Sequence, residues 1–169
     1  MNGMRGFTLV EMMTATAVAA TLAGAAVPSM SNLMARQKLT GTVNELMMAI
    51  DMGRSDAVTR GSRVVLAPKV GRDWSSGWQL YRDLNDNGVR EDDEPVLREF
   101  ERPDPRVQFA AHGVVETATM SFEETGLIRR AGSNGLMLGR LNIVLDGQAR
   151  TVCFGAARVR VVTGALTCS

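Results

Sequence analysis

GFTLVEMMTATAVAATLAGAAVPSM, residues Gly6 to Met30, carries one charged side chain, Glu11, near the start of an otherwise apolar run. The 24 residues from Met12 to Ala35 hold no charge at all. A helix of that length, at about 1.5 Å per residue, covers roughly 36 Å, enough to cross the hydrocarbon core of a bilayer. The run is rich in Ala, Thr, Met and Gly, so its hydrophobicity is moderate, and Pro28 lies inside it. Proline removes one backbone hydrogen bond, which predicts a kink or a loosened turn there. Glu11 is the puzzle, because a lone carboxylate in lipid costs about 3 kcal/mol and needs a partner.

Beyond Ala35 the pattern changes. Leu39, Val43, Leu46, Met47, Ile50, Ala57 and Val58 fall at helical spacing, with Lys38, Glu45, Asp51, Arg54 and Arg60 mostly on other faces. This predicts one long helix from about Phe7 to Thr59, apolar all round in its first half and amphipathic in its second, with Gly61 as its stop. After Gly61 the pattern is short and β-like. Candidate strands are 63–66, 78–82, 96–100, 107–110, 119–122, 141–145, 150–154 and 158–162, separated by turn residues such as Asn87-Gly88 and Asp146-Gly147. The expected fold class is α+β, an antiparallel sheet packed on the amphipathic half of one helix.

Three readings of the N-terminus compete. A secretory signal peptide would use Arg5, the apolar run and a small-residue cleavage site at Ala23-Gly24-Ala25. A plain membrane anchor needs only the run itself. Neither accounts for Glu11, nor for an amphipathic helix that continues unbroken from the apolar one. The third reading starts from Gly6-Phe7-Thr8-Leu9-Val10-Glu11, which resembles the cleavage motif of type IV prepilins. The resemblance implies that a prepilin peptidase cuts between Gly6 and Phe7, that Phe7 is N-methylated, and that the apolar helix is kept. It places Glu11 where the family has its glutamate and Pro28 where many members have a helix-loosening proline. In a filament the Glu11 carboxylate would pair with the Phe7 amine of a neighbouring subunit and so help to set register.

The resemblance extends further. Asn44-Glu45-Leu46, Arg54-Ser55-Asp56-Ala57, Arg60-Gly61, Gly77-Trp78-Gln79-Leu80-Tyr81, the run Asp83 to Gly88 and Asp93-Glu94-Pro95 are similar to the GspH/FimT family of minor pilins and pseudopilins. This implies a leader at 1–6, a membrane-spanning and filament-core helix at 7–30, an amphipathic helix at 31–60 and an antiparallel β domain at 61–169. It also implies an inner-membrane protein with a periplasmic domain, assembling with other pilins and an inner-membrane platform, usually near the filament tip.

Some members of that family bind DNA through a Gly-Arg-x-Arg element near the C-terminus. Here Ala157-Arg158-Val159-Arg160 keeps both arginines and lacks the glycine. From Gly126 onward six arginines, among them Arg140, Arg150, Arg158 and Arg160, stand against the single acid Asp146. Alternate positions of a strand face one way, so Arg158 and Arg160 could meet phosphates together. A charged edge strand that deters aggregation would look the same.

The middle of the chain is acidic. Asp83 to Glu94 fits the calcium-loop pattern, with Asp83, Asn85, Asn87 and Glu94 as oxygen donors and Gly88 at the sharp turn. Strand-like flanks, Arg90 and the Asn87-Gly88 hairpin signal suit a metal-free turn equally. Cys153 and Cys168, the two cysteines, fit one disulfide worth about 3 kcal/mol if this end lies outside the cytoplasm, and two free thiols otherwise. Nothing reads as catalytic: His112 is the lone histidine, the serines lack a nucleophile-elbow context, and no glycine pattern fits a phosphate loop. Trp74 and Trp78 read as core and turn packing.

Overall fold

A computed structural model describes residues 6–155, 158–164 and 166–168, with residues 25–29 described by their backbone alone. Helix α1 runs from Leu9 to Arg60, 52 residues, close to the expected bounds. The helical backbone continues through Pro28; its side chain, and with it the loosening role, lies outside the described residues. At the far end Gly61 adopts φ 58° and the Ser62 amide donates to the Ala57 carbonyl at 3.3 Å. This is the six-to-one bond of a Schellman stop, and it requires the left-handed residue that glycine supplies.

The chain divides into two compact units between Ala35 and Arg36. In the first, the described side chains from Phe7 to Leu22 are exposed all round the helix. In the second, the rest of α1 buries Leu39, Val43, Leu46, Ala49, Ile50 and Ala57. Val58, expected on that face, is exposed instead, because it stands about 100° round the helix from the buried Ala57.

Among the described residues nine strands follow, in two antiparallel sheets. Strands β1 (Val64–Val70), β2 (Asp73–Arg82), β3 (Val96–Phe100), β5 (Met120–Phe122) and β6 (Ile128–Arg130) form the first, in the order β3-β2-β1-β5-β6. Strands β4 (Gln108–Gly113), β7 (Gly139–Leu145), β8 (Gln148–Phe154) and β9 (Val159–Thr163) form the second, in the order β4-β7-β8-β9. A one-turn helix, α2 (Val114–Thr117), joins β4 to β5. The eight expected strands are all present; β6 and α2 were not foreseen, being too short to show a period.

Strand β2 also starts five residues earlier than expected, so Ser75-Ser76-Gly77 is strand and not turn. Trp74 and Trp78 then share a face, 4% and 0% exposed, with ring centroids 6.4 Å apart. Trp78 also meets Phe100 of β3 and Phe109 of β4, at 6.0 and 6.3 Å, so it joins the two sheets. Helix and first sheet approach closely at Gly53, where a Cβ would run into the Phe122 ring and Leu80.

Candidate functional site

The N-terminal site is built on the first turn of α1. Thr8 is its N-cap. The Thr8 amide and hydroxyl each donate to Glu11 Oε2 at 2.9 Å, and the Glu11 amide donates back to Thr8 Oγ1 at 3.3 Å. This is a reciprocal capping box, which satisfies orphan amides of the first turn. Glu11 therefore has a structural partner within its own chain. The Thr8-x-x-Glu11 spacing carries the signal for it. Around the box the apolar side chains are open: Phe7, Leu9, Val10, Met12 and Met13 are all more than half exposed. Gly6 and Phe7 precede the helix outside regular structure and are exposed.

Among the described residues no helix is long and apolar enough to cross a membrane. The expected span rested on length and absence of charge. Ala, Thr, Gly and Ser contribute little transfer energy, so an uncharged helix need not be strongly apolar.

The acidic loop, 83–94, closes on its own hydrogen bonds. Asp83 is 3% exposed; its two oxygens accept from the amides of Asn87 at 3.1 Å and Gly88 at 2.9 Å. Glu94, 2% exposed, accepts from the amides of Leu84 at 2.8 Å and Glu91 at 3.2 Å. The Asn87 side-chain oxygen takes the Val89 amide, and Asn85 and Asn87 both donate their amide nitrogens to Glu91. Every oxygen of the two buried expected donors thus has an amide partner. No group of three or more His, Cys, Asp or Glu side chains stands together for a metal among the described residues.

Burial raises the Asp83 carboxyl above its usual range, with the Glu94 and Asp86 charges adding to it against the Gly88 amide. Tyr81, whose hydroxyl donates to the Gly88 carbonyl at 3.0 Å, is also pushed up, first by burial and then by Asp83 and Glu94. Sequence reasoning passed over Tyr81 and Glu91 as organisers of this loop. Arg63 borders it at 3.4 Å from Asp86, in a polar cavity of about 550 Å³ at the end of α1.

The basic end is partly assembled by the second sheet. Arg140 on β7 pairs with Cys153 on β8, which pairs with Arg160 on β9. Directly paired residues project to the same side, so Arg140 and Arg160 share a face; Arg158 lies just before β9, outside the paired strand. Arg150 does not share that face. It pairs with Ile143, three positions from Cys153, and lies on the opposite face, where its guanidinium donates to the Ala149 carbonyl at 3.2 Å. Of the four expected arginines, the register brings Arg140 and Arg160 together and puts Arg150 on the other face. Cys153 and Cys168 form a disulfide, with Cα atoms 5.9 Å apart. His112 pairs with Arg140 on edge strand β4.

Comparison with known proteins adds a family to this geometry. Residues 1–27 match the model of the prokaryotic N-terminal methylation motif, and residues 42–163 match that of the type II transport protein GspH. No curated protein gives a significant match. Among solved structures, the crystal structure of the type IV minor pilin FimU of Pseudomonas aeruginosa (strain PAO1) is similar, at a TM-score of 0.55 and 16% identity, over 75% of this chain and 90% of that one. At that identity the likeness is one of fold: a helix followed by antiparallel sheets in pilin fashion. The family is one of structural subunits, not enzymes. With its capped apolar helix, its two-sheet domain and a match over most of its length, the chain belongs to the GspH family of type II transport proteins.

Proposed function

We propose that the protein is a minor subunit of a type II secretion pseudopilus or type IV pilus, which primes the filament or sits near its tip. In this reading it enters the inner membrane with its β domain in the periplasm. The prepilin peptidase cuts between Gly6 and Phe7, Phe7 is methylated, and the assembly platform adds the subunit to other pilins. The observation that carries the reading is the bare apolar surface of early α1: Phe7 is 84% exposed, Leu9 76% and Leu22 67%. A helix apolar on all sides has no stable place in water. Lipid before assembly and sister helices after it supply the missing surroundings. The Thr8–Glu11 box fits the same sequence of events. It gives the carboxylate donors inside one chain until the Phe7 amine of a neighbour arrives.

Mass analysis of the native product tests this. The expected N-terminus is a methylated Phe7. A start near Ala26 or Val27 would instead mean an exported, anchor-free protein.

A second reading, a DNA-binding minor pilin of a DNA-uptake system, draws on the shared face of Arg140 and Arg160, with the exposed Arg158 just before β9. A gel shift with duplex DNA, repeated with Arg158→Ala/Arg160→Ala, tests it. Binding that falls with salt and with the substitutions supports the reading, and no shift at low salt removes it.

A further inference from the structure

Asparagine followed by glycine occurs three times, at Asn2-Gly3, Asn87-Gly88 and Asn134-Gly135. The first pair lies outside the described residues. Such a pair is a chemical weak point. The glycine nitrogen can close a five-membered ring on the asparagine side-chain carbon, and glycine has no side chain to hinder the approach. Closure needs two freedoms: a side-chain amide that can swing onto the next nitrogen, and a nitrogen that can give up its proton. Asn87 and Asn134 are both exposed, and their turns touch, Gly132 lying against the Asn87 carbonyl oxygen. Solvent and surroundings are therefore shared. The bonds are not.

At Asn87 both freedoms are taken. Its Oδ1 accepts the Val89 amide at 2.7 Å, and its Nδ2 donates to Glu91 Oε1 at 3.1 Å. The Gly88 amide donates to the buried Asp83 carboxylate at 2.9 Å. Beside a negative charge an amide holds its proton more firmly.

At Asn134 neither freedom is taken. The turn is fixed at its ends, where the Ser133 amide donates to the Arg130 carbonyl at 3.1 Å and the Arg130 amide to the Gly135 carbonyl at 2.9 Å. Among the described residues the Asn134 side chain has no hydrogen-bond partner. The Gly135 amide meets a neutral acceptor, the Ser133 hydroxyl oxygen, at 3.3 Å, beyond the usual N–H···O range.

We propose that Asn134 is a site of spontaneous deamidation in the folded protein, and that the hydrogen bonds of the acidic loop protect Asn87 from the same reaction. The Gly135 nitrogen gives its proton to hydroxide and bonds to Asn134 Cγ. The Cγ–Nδ2 bond breaks, and ammonia leaves with a proton from water. Water then opens the succinimide at either carbonyl and leaves aspartate or isoaspartate at position 134. The added negative charge stands in the turn that Arg130 closes, and it cancels the chain's formal net charge of +1.

The test incubates the full chain in detergent at mildly alkaline pH, folded and in urea, and follows tryptic peptides by mass spectrometry. Cleavage at arginine separates the three pairs, into residues 1–5, 83–90 and 131–140. In the folded protein residues 131–140 should gain the mass difference between amide and acid, as two chromatographic isomers. Residues 83–90 should react about tenfold more slowly or less, the factor for breaking one charge-assisted hydrogen bond before the attack. In urea the two peptides should react alike. Asp83→Ala, shown to be folded by circular dichroism, frees the Gly88 nitrogen and should narrow the difference.

Equal rates at Asn87 and Asn134 in the folded protein overturn the protection. An Asn134 that reacts in urea and stays intact in the fold overturns the site. An Asn87 as slow in folded Asp83→Ala as in the parent removes Asp83 from the lock.

Discussion

Thr8 and Glu11 cap each other: one carboxylate oxygen takes both the amide and the hydroxyl of Thr8, and the Thr8 hydroxyl oxygen takes the Glu11 amide. Glu11 therefore has two tasks, holding the first turn and meeting a neighbour's amine. Thr8→Val removes only the first. We expect faster hydrogen exchange at the Thr8 and Glu11 amides of this variant in detergent, with normal cleavage after Gly6 and reduced incorporation into filaments. Glu11→Ala should lose incorporation altogether. Equal exchange in Thr8→Val and parent protein would remove the box from the account.

The acidic loop predicts stability without metal. Asp83→Ala or Glu94→Ala each deletes a buried carboxylate that accepts two loop amides, and hydrogen bonds to a charged group contribute about 1.5–3 kcal/mol. Thermal unfolding should show that loss for both variants, and the parent midpoint should not move when calcium replaces a chelator. A calcium-dependent rise in the parent, absent from both variants, would make the same oxygens metal ligands.

An acid-dependent contribution comes from Asp104. It receives Lys38 of α1 at 2.8 Å and the Arg106 side chain at 3.2 Å, and Arg106 also reaches Asp146 in the β7–β8 turn at 3.0 Å. The Arg106 and Lys38 hydrogen bonds hold the Asp104 carboxyl well below the usual carboxylate range. A depressed folded value means that the stabilisation is complete above the unfolded value of about 4 and is lost as pH falls below it. Asp104→Asn should therefore unfold with a shallower midpoint-against-pH slope in acid and match the parent's slope near neutrality. Added salt should narrow the difference, because the pairs are exposed.

The long helix and the eight foreseen strands were legible because their signals are local: apolar spacing of three and four, alternation by two, and Gly or Asn-Gly at the breaks. What escaped is either too short or too long-range. Ile128–Arg130 has three residues and cannot display a period. Ser75-Ser76-Gly77 has turn chemistry, yet lies within β2 between Asp73 and Trp78, which pair with β1 on either side of a register shift. Arg150 looked equivalent to Arg140 on the page; only the β7–β8 register puts them on opposite faces. The donors of the calcium pattern were correctly placed in one loop, but sequence spacing cannot say that backbone amides take up their oxygens.

The close helix–sheet approach at Gly53 gives the last prediction. At Gly53 two effects oppose each other. Alanine would gain about 1 kcal/mol of helix propensity over glycine. Its methyl would also enter space held by the Phe122 ring and Leu80, both fully buried. Overpacking a close-packed core costs about 1–3 kcal/mol, and neither an aromatic ring nor a central-strand leucine can swing clear as a surface side chain would. The steric term should win, so Gly53→Ala is expected to lower stability in urea unfolding by about 1 kcal/mol. Gly41→Ala, where the added methyl meets nothing within 4 Å, should raise it by about the propensity term. Opposite signs for the same substitution on one helix would place the close approach at Gly53; equal signs would mean that the helix stands off the sheet.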